Sequence, residues 1–287
     1  MSIELRVTTT LMRLALKRRL NANYCPIDGR RRLTSHRLTR PPVDFGDSVL
    51  EPRGDTGAAH TIVYVPGGGF MLGADDRHRR FVDVLCRRTG SRGWILHYPL
   101  APENPYPAAR DDTVHALRQV LSAPDTGAVT LVADSAGAAL ALSATLALDT
   151  PRGFDSLVLL SPLTDLATTG LSYVYNRYRD PLCGPEAVIH KVHHYLRGAN
   201  PTDPIASPLW GDLHGLPPLQ IFVGSTEIML DDSVRLAEKA RAAGCDVELR
   251  VVAKAPHTFP LLVPWCAESR RAVDAMTAFI TEKGNHR

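Results

Sequence analysis

The sequence predicts an α/β protein, with a mostly parallel central sheet flanked by helices. Three observations carry that prediction. Short apolar runs that read as buried strands alternate with longer helical patterns, an order that implies parallel strands joined by crossover helices covering both faces. The chain has 287 residues with 44% apolar content, enough to bury a substantial core as one domain and to exclude disorder. Finally, the run 129–132 leads through Ala133-Asp134 into Ser135 and then directly into a small-residue helical pattern, so a strand, a serine and a helix follow one another without a loop.

Strand patterns fall at 61–65, 94–98, 129–132, 157–160, 219–223 and 247–252. Helical patterns fall near 77–88, 109–121, 136–148, 231–243 and 270–280. The segments 1–40 and 168–203 fit the alternation poorly. Within the first, Ile3, Val7, Leu11 and Leu14 form an amphipathic helical stripe whose charges interrupt and follow it, unlike a signal peptide, where they precede one apolar stretch. No apolar run approaches the roughly 20 residues that span a bilayer. Cys25, Cys86, Cys183, Cys245 and Cys266 are odd in number and lack paired spacing, as expected of free thiols in a reducing compartment. A cytoplasmic protein is expected. Net charge is only +3, and the Lys17-Arg18-Arg19 and Arg30-Arg31-Arg32 runs lack interleaved aromatics, so they read as solvated surface and nucleic acid is not an expected partner.

A serine on a sharp strand-to-helix turn is held with strained backbone and its oxygen projecting above the sheet, and the turn has room only for small neighbours. Ala133 and Gly137 supply them around Ser135. Upstream, the 61–65 strand runs into Pro66-Gly67-Gly68-Gly69-Phe70, where glycines let backbone N–H groups converge on one point. Such donors stabilise the oxyanion of an ester under attack, and Gly68 and Gly69 are the expected pair. The third is the N–H of Ala136, at the start of a helix where such groups lack intrahelical partners. A phosphate loop is disfavoured because no Gly-Lys-Ser/Thr follows.

With these motifs the chain resembles the bacterial hormone-sensitive-lipase-like branch of the α/β-hydrolases. The matching residues run in the family's order through most of the chain: Gly67-Gly68-Gly69-Phe70, Tyr98-Pro99-Leu100-Ala101-Pro102-Glu103, Pro105-Tyr106-Pro107-Ala108-Ala109, Asp134-Ser135-Ala136-Gly137, Ser207-Pro208-Leu209, Gly224-Ser225-Thr226-Glu227 and His257-Thr258-Phe259. Three departures stand out. Ala133 replaces a glycine; Pro66 replaces a histidine that positions the glycine loop; and His97-Tyr98-Pro99 replaces Asp-Tyr-Arg, so both usual charges are lost together and no orphan carboxylate is left to bury. The resemblance implies an α/β-hydrolase with a helical cap built from about 1–40 and 168–203, made aromatic by Tyr173, Tyr175, Tyr178 and Tyr195. It also implies short to medium acyl esters as substrates, and it admits a homodimer.

A serine hydroxyl needs a base, and the base needs a third group to fix its tautomer. Of eleven histidines, His257 lies after the 247–252 strand and before the last helical pattern, where this fold delivers its base. The acid is expected after 219–223, where Glu227, Asp231 and Asp232 are available. Matching to the family places it at Glu227, while Asp231 and Asp232 begin a helical pattern and suit its N-terminal N–H groups. His190, His193 and His194 share helical spacing, but no Cys or acidic partner is spaced to complete a metal site with them.

The expected activity is therefore serine carboxylester hydrolysis through an acyl-enzyme: Ser135 as nucleophile, His257 as base, Glu227 as acid, and Gly68, Gly69 and Ala136 as oxyanion donors, with no metal or organic cofactor. Two rival readings stay open. The same site suits a specialised lactone, acetyl-ester or arylformamide substrate, since the pocket sets the substrate, or the chain is a catalytically silent small-molecule-binding homologue.

Overall fold

A computed structural model describes residues 1–21, 43–45, 48–54, 60–123, 126–148, 153–285. Cys25, Arg30, Arg31, Arg32 and the rest of residues 22–40 of the expected cap lie outside the described residues. Among the described residues, eight strands form one sheet: β1 (Val43–Phe45), β2 (Ser48–Gly54), β3 (His60–Val65), β4 (Arg92–His97), β5 (Ala128–Asp134), β6 (Ser156–Leu160), β7 (Leu219–Gly224) and β8 (Val247–Val252). Their spatial order is β1-β2-β4-β3-β5-β6-β7-β8. From β4 to β8 every pairing is parallel, while β1 and β2 are antiparallel to their neighbours.

Period-two alternation sorts the strand side chains onto two faces. Val63, Val65, Leu131, Ala133, Leu157, Leu159 and Ile221 join one core cluster. Ile62, Tyr64, Val132, Val158, Leu160 and Phe222 join the other. Helices α3 (Ala108–Ser122), α4 (Ala136–Ala147) and α7 (Leu230–Ala242) cover the first face. Helices α2 (Asp76–Thr89) and α9 (Ala267–Gly284) cover the second. The N-terminal helix α1 (Ile3–Asn21) docks on α9: Leu5 is fully buried in the second cluster, and the Ala267 N–H donates to the Glu4 carboxylate at 3.1 Å. Helix α4 is buried on every side over its first ten residues, which explains a sequence mostly of Ala, Leu and Gly, whose Ser143 and Thr145 hydroxyls donate to the Ile205 and Ala141 carbonyls.

The predicted strands and helices match these elements to within a few residues at each end. The antiparallel pair β1–β2 was not expected. Pro52 and Gly54 make its sequence read as a loop, yet β2 pairs with β4 from Val49↔His97 to Gly54↔Arg92. β2 brings Glu51, almost fully buried, beside His97; it accepts from His97 Nε2 at 3.0 Å, Arg79 Nε at 2.9 Å and Arg53 at 3.3 Å, so this carboxylate is partnered and not an orphan. Burial works against its charge, but these donors prevail and lower its carboxyl to about 2.

Candidate active site

Ser135 occupies the junction of β5 and α4 with φ 49° and ψ −124°, a strained conformation for a non-glycine residue. Its N–H donates to the Leu160 carbonyl at 2.9 Å, and its own carbonyl accepts from Leu163 at 3.0 Å. These bonds anchor the turn to the end of β6. The turn is tight on its other side too: a Cβ on Gly137 would lie 2.3 Å from the Val65 carbonyl, so only glycine lets α4 approach β3 this closely. Ala133, where the family has glycine, is a fully buried β5 residue paired across to Val65 and Leu159, and the sheet accommodates its methyl.

His257 follows β8 in the loop before the short helix α8 (Phe259–Leu262). Its Nε2 lies 2.9 Å from Ser135 Oγ and its Nδ1 lies 2.8 Å from Glu227 Oε2. Burial penalises the imidazolium, but the Glu227 hydrogen bond and charge, with Asp180 and Asp134 farther away, outweigh it and hold His257 above its ordinary value. Glu227 is fully buried after β7, and its other oxygen accepts from Ser161 Oγ at 2.9 Å and from the Gly224 N–H.

Asp231 and Asp232 point elsewhere. Asp231 accepts from the Ser172 N–H and the Tyr175 hydroxyl, each at 2.9 Å. Asp232 accepts from the N–H groups of Thr164 and Asp165 at 2.8 and 2.9 Å. Both lie in the first turn of α7, but they hold neighbouring loops instead of capping that helix. Burial pushes the Asp232 carboxyl up to about 7 despite those two donors.

The glycine loop is pinned from two directions. Asp134 Oδ1 accepts the Gly67 N–H at 2.8 Å and the Tyr64 hydroxyl at 2.6 Å, so the Gly67 donor is engaged beneath the loop. The Tyr98 hydroxyl donates to the Pro66 carbonyl at 2.7 Å. Proline in place of histidine therefore leaves a loop with fixed supports. Gly68 and Gly69, at φ 116° and 64°, line a cleft of about 210 Å³ together with Ser135 and His257. The remaining wall mixes aliphatic side chains, such as Leu163, Val188, Val192 and Met229, with charged and polar ones, including Asp75, Arg77 and Lys191.

Val188 and Val192 belong to helix α6 (Pro185–Leu196), within the 168–203 segment. The tyrosines of that segment do not line the cleft. Tyr195 stacks on Phe70 with ring centroids 3.8 Å apart, Tyr173 is buried, and Tyr175 and Tyr178 face solvent. His190 and His193 are also on the solvent side of α6. Among the described residues, no three His, Cys, Asp or Glu side chains form a group able to hold a metal ion.

Two residues that sequence reasoning missed support the His257 relay. Ser161, at φ 46°, donates to Glu227 and accepts the Thr258 N–H at 2.9 Å, tying the acid to the residue after His257. Its only sequence signal is its place immediately after a buried strand. Asp180, nearly buried, accepts from Ile228 N–H with one oxygen and from Leu182 and Cys183 N–H with the other, all at 2.9 Å. It thus joins the start of α6 to the loop that carries Glu227; an Asp-Pro pair in an irregular segment gives no hint of this.

A family model described as the alpha/beta hydrolase fold matches residues 62–261. The chain belongs to the α/β-hydrolase family. Within it, the chain falls among the hormone-sensitive-lipase-like esterases: it superposes with TM-score 0.84 and 31% identity on a crystal structure of an esterase from the bacterial hormone-sensitive lipase family, covering 99% of both chains. It is 38% identical over 224 residues to an acetyl-hydrolase of Streptomyces hygroscopicus, spanning 77% of this chain and 75% of that one. It is 37% identical over 238 residues to an esterase of Acinetobacter venetianus, spanning 80% and 78%. Among the described residues, no helix is long and apolar enough to cross a membrane.

Proposed function

We propose that this carboxylesterase works as a serine hydrolase in which Ser135 Oγ attacks the ester carbonyl. A carboxylate at Glu227 fixes the proton on His257 Nδ1, which leaves Nε2 to take the Ser135 proton and later deliver it to the departing alcohol. The N–H groups of Gly68, Gly69 and Ala136 hold the oxyanion of the tetrahedral intermediate. Water activated by the same histidine then releases the acid from the acyl-enzyme. The observation that carries this reading is the continuous hydrogen-bonded run from Ser135 to His257 to Glu227, at 2.9 and 2.8 Å, on a strained strand-to-helix turn.

A cleft of about 210 Å³ is smaller than the about 300–1,000 Å³ of drug-sized sites, which supports esters of short to medium acids. We read the α6 segment as a cap over that cleft. We also place the protein in the cytoplasm, supported by unpaired thiols at Cys86, Cys183, Cys245 and Cys266. The silent-receptor alternative is not favoured, because every member of the relay lies within hydrogen-bonding reach of the next. Hydrolysis of p-nitrophenyl butyrate tests the reading: turnover is expected in the native chain and a loss of at least about 10⁴-fold in Ser135→Ala. Turnover that survives this substitution would remove Ser135 from the chemistry.

A further inference from the structure

One charged side chain of the cleft, Lys191, stands apart from the relay and from the other charged groups. Lys191 lies on α6 between Val188 and Val192, and all three line the cleft. Its aliphatic stem crosses the glycine loop: a Cβ on Gly69 would lie 2.4 Å from Lys191 Cδ and 3.4 Å from Cε. The ammonium, one bond beyond Cε, is thereby held beside the loop expected to bind the oxyanion.

The other charged groups of the cleft are already engaged. Arg77 donates to Asp75, whose carboxylate also lies 2.9 Å from His78 Nδ1. Asp134 is bound beneath the loop by Tyr64 and Gly67. Glu227 is turned toward His257, Ser161 and Gly224. Among the described residues, no hydrogen bond or ion pair is found for the Lys191 ammonium. Asp75 and Asp134 also line the cleft, but neither is bonded to Lys191, and a half-buried cation without a bonded carboxylate is complementary to an anion brought by a ligand.

We propose that Lys191 is the specificity-determining residue of this cleft and that the preferred ester carries an anionic oxygen group, such as a carboxylate, which pairs with its ammonium. The inference rests on the serine-esterase reading above and deepens it. It leaves open whether the anion belongs to the acid or to the alcohol part of the ester, and the test has one arm for each.

In the acyl arm, mono-4-nitrophenyl glutarate is compared with 4-nitrophenyl valerate. In the alcohol arm, 4-acetoxybenzoate is compared with its methyl ester. The readout is the ratio of kcat/KM for the anionic over the neutral ester within each variant, so that general effects of a substitution cancel. The native chain is expected to favour the anionic ester in one arm by roughly ten- to a hundredfold, the worth of one charge-assisted hydrogen bond, with the difference residing in KM. That preference should vanish in Lys191→Met, survive in Lys191→Arg and invert in Lys191→Glu. Ratios that agree within about twofold between the native chain and Lys191→Met in both arms would overturn the assignment. Absence of Ser135-dependent release from the neutral esters would instead overturn the esterase reading on which it rests, so the two failures are distinct.

Discussion

The carbonyl oxygen of Ala255 occupies the place where a side chain on Gly224 would begin: a Cβ there would lie 2.0 Å from it and 3.0 Å from Glu227 Oε1. This approach brings the loop after β7, which carries Glu227, against the loop after β8, which carries His257. Gly224→Ala must push these loops apart. Overpacking of this kind costs typically about 1–3 kcal/mol of stability, and displacing a reacting group by about 1 Å can cost about a hundredfold in rate. The expected result is a modest fall in Tm with a disproportionate fall in kcat for p-nitrophenyl butyrate. Proportionate losses would show that the contact serves stability alone.

The two acidic candidates separate cleanly by substitution. Glu227→Gln keeps the shape of the side chain, but its one oxygen stays with the Ser161 and Gly224 donors and its amide N–H faces His257 Nδ1, which selects the wrong tautomer, and kcat should fall by about 10⁴-fold. Asp231→Asn alters contacts to Ser172 and Tyr175, neither of which bonds to Ser135, His257 or Glu227, and should cost less than about tenfold. The opposite ranking in steady-state kinetics would move the acid to Asp231.

The pH profile supplies an independent check with a definite sign. His257 acts as base only when neutral, so kcat/KM rises as pH climbs through its pKa. The Glu227 bond and charge raise that pKa, so the midpoint of the acid limb in the native chain is expected above 6.5. In Glu227→Gln the raising interactions with that residue are gone while burial still opposes the charged ring. The residual activity should therefore have its acid limb at lower pH. A midpoint that does not move would mean that Glu227 does not govern the ionisation of His257.

What the sequence revealed of this site follows from which interactions are local. Ser135 and the glycine loop were legible because a tight turn and a close backbone approach demand particular residue types at adjacent positions. His257 was legible from its place after a strand, since the parallel sheet puts the ends of β5, β7 and β8 at one edge. Ser161, Asp180 and Lys191 were not legible, because their roles come from contacts between segments far apart in the chain, and nothing in their neighbours marks them. Strand β2 was hidden for a related reason: Pro52 and Gly54 weaken its local signal, while its pairing with β4 and the burial of Glu51 are decided by tertiary contact.

Pro66 stands at the start of the glycine loop where the family pattern has histidine, and Tyr98 holds that start in place. Its hydroxyl donates to the Pro66 carbonyl from a buried position, which fixes the start of the loop while Asp134 fixes Gly67. In Tyr98→Phe the carbonyl loses its donor in a site with little access to water, a change worth about 1–3 kcal/mol of stability. Gly68 and Gly69 lie only two and three residues beyond, so their N–H groups should lose alignment with the developing oxyanion. Full removal of one such donor costs about 10²–10³ in kcat, and misalignment should cost less, roughly tenfold, with KM nearly unchanged because the ground-state ester relies little on these donors. A rise in KM at constant kcat would instead place the effect of Tyr98 on substrate binding and leave the loop's rigidity to other contacts.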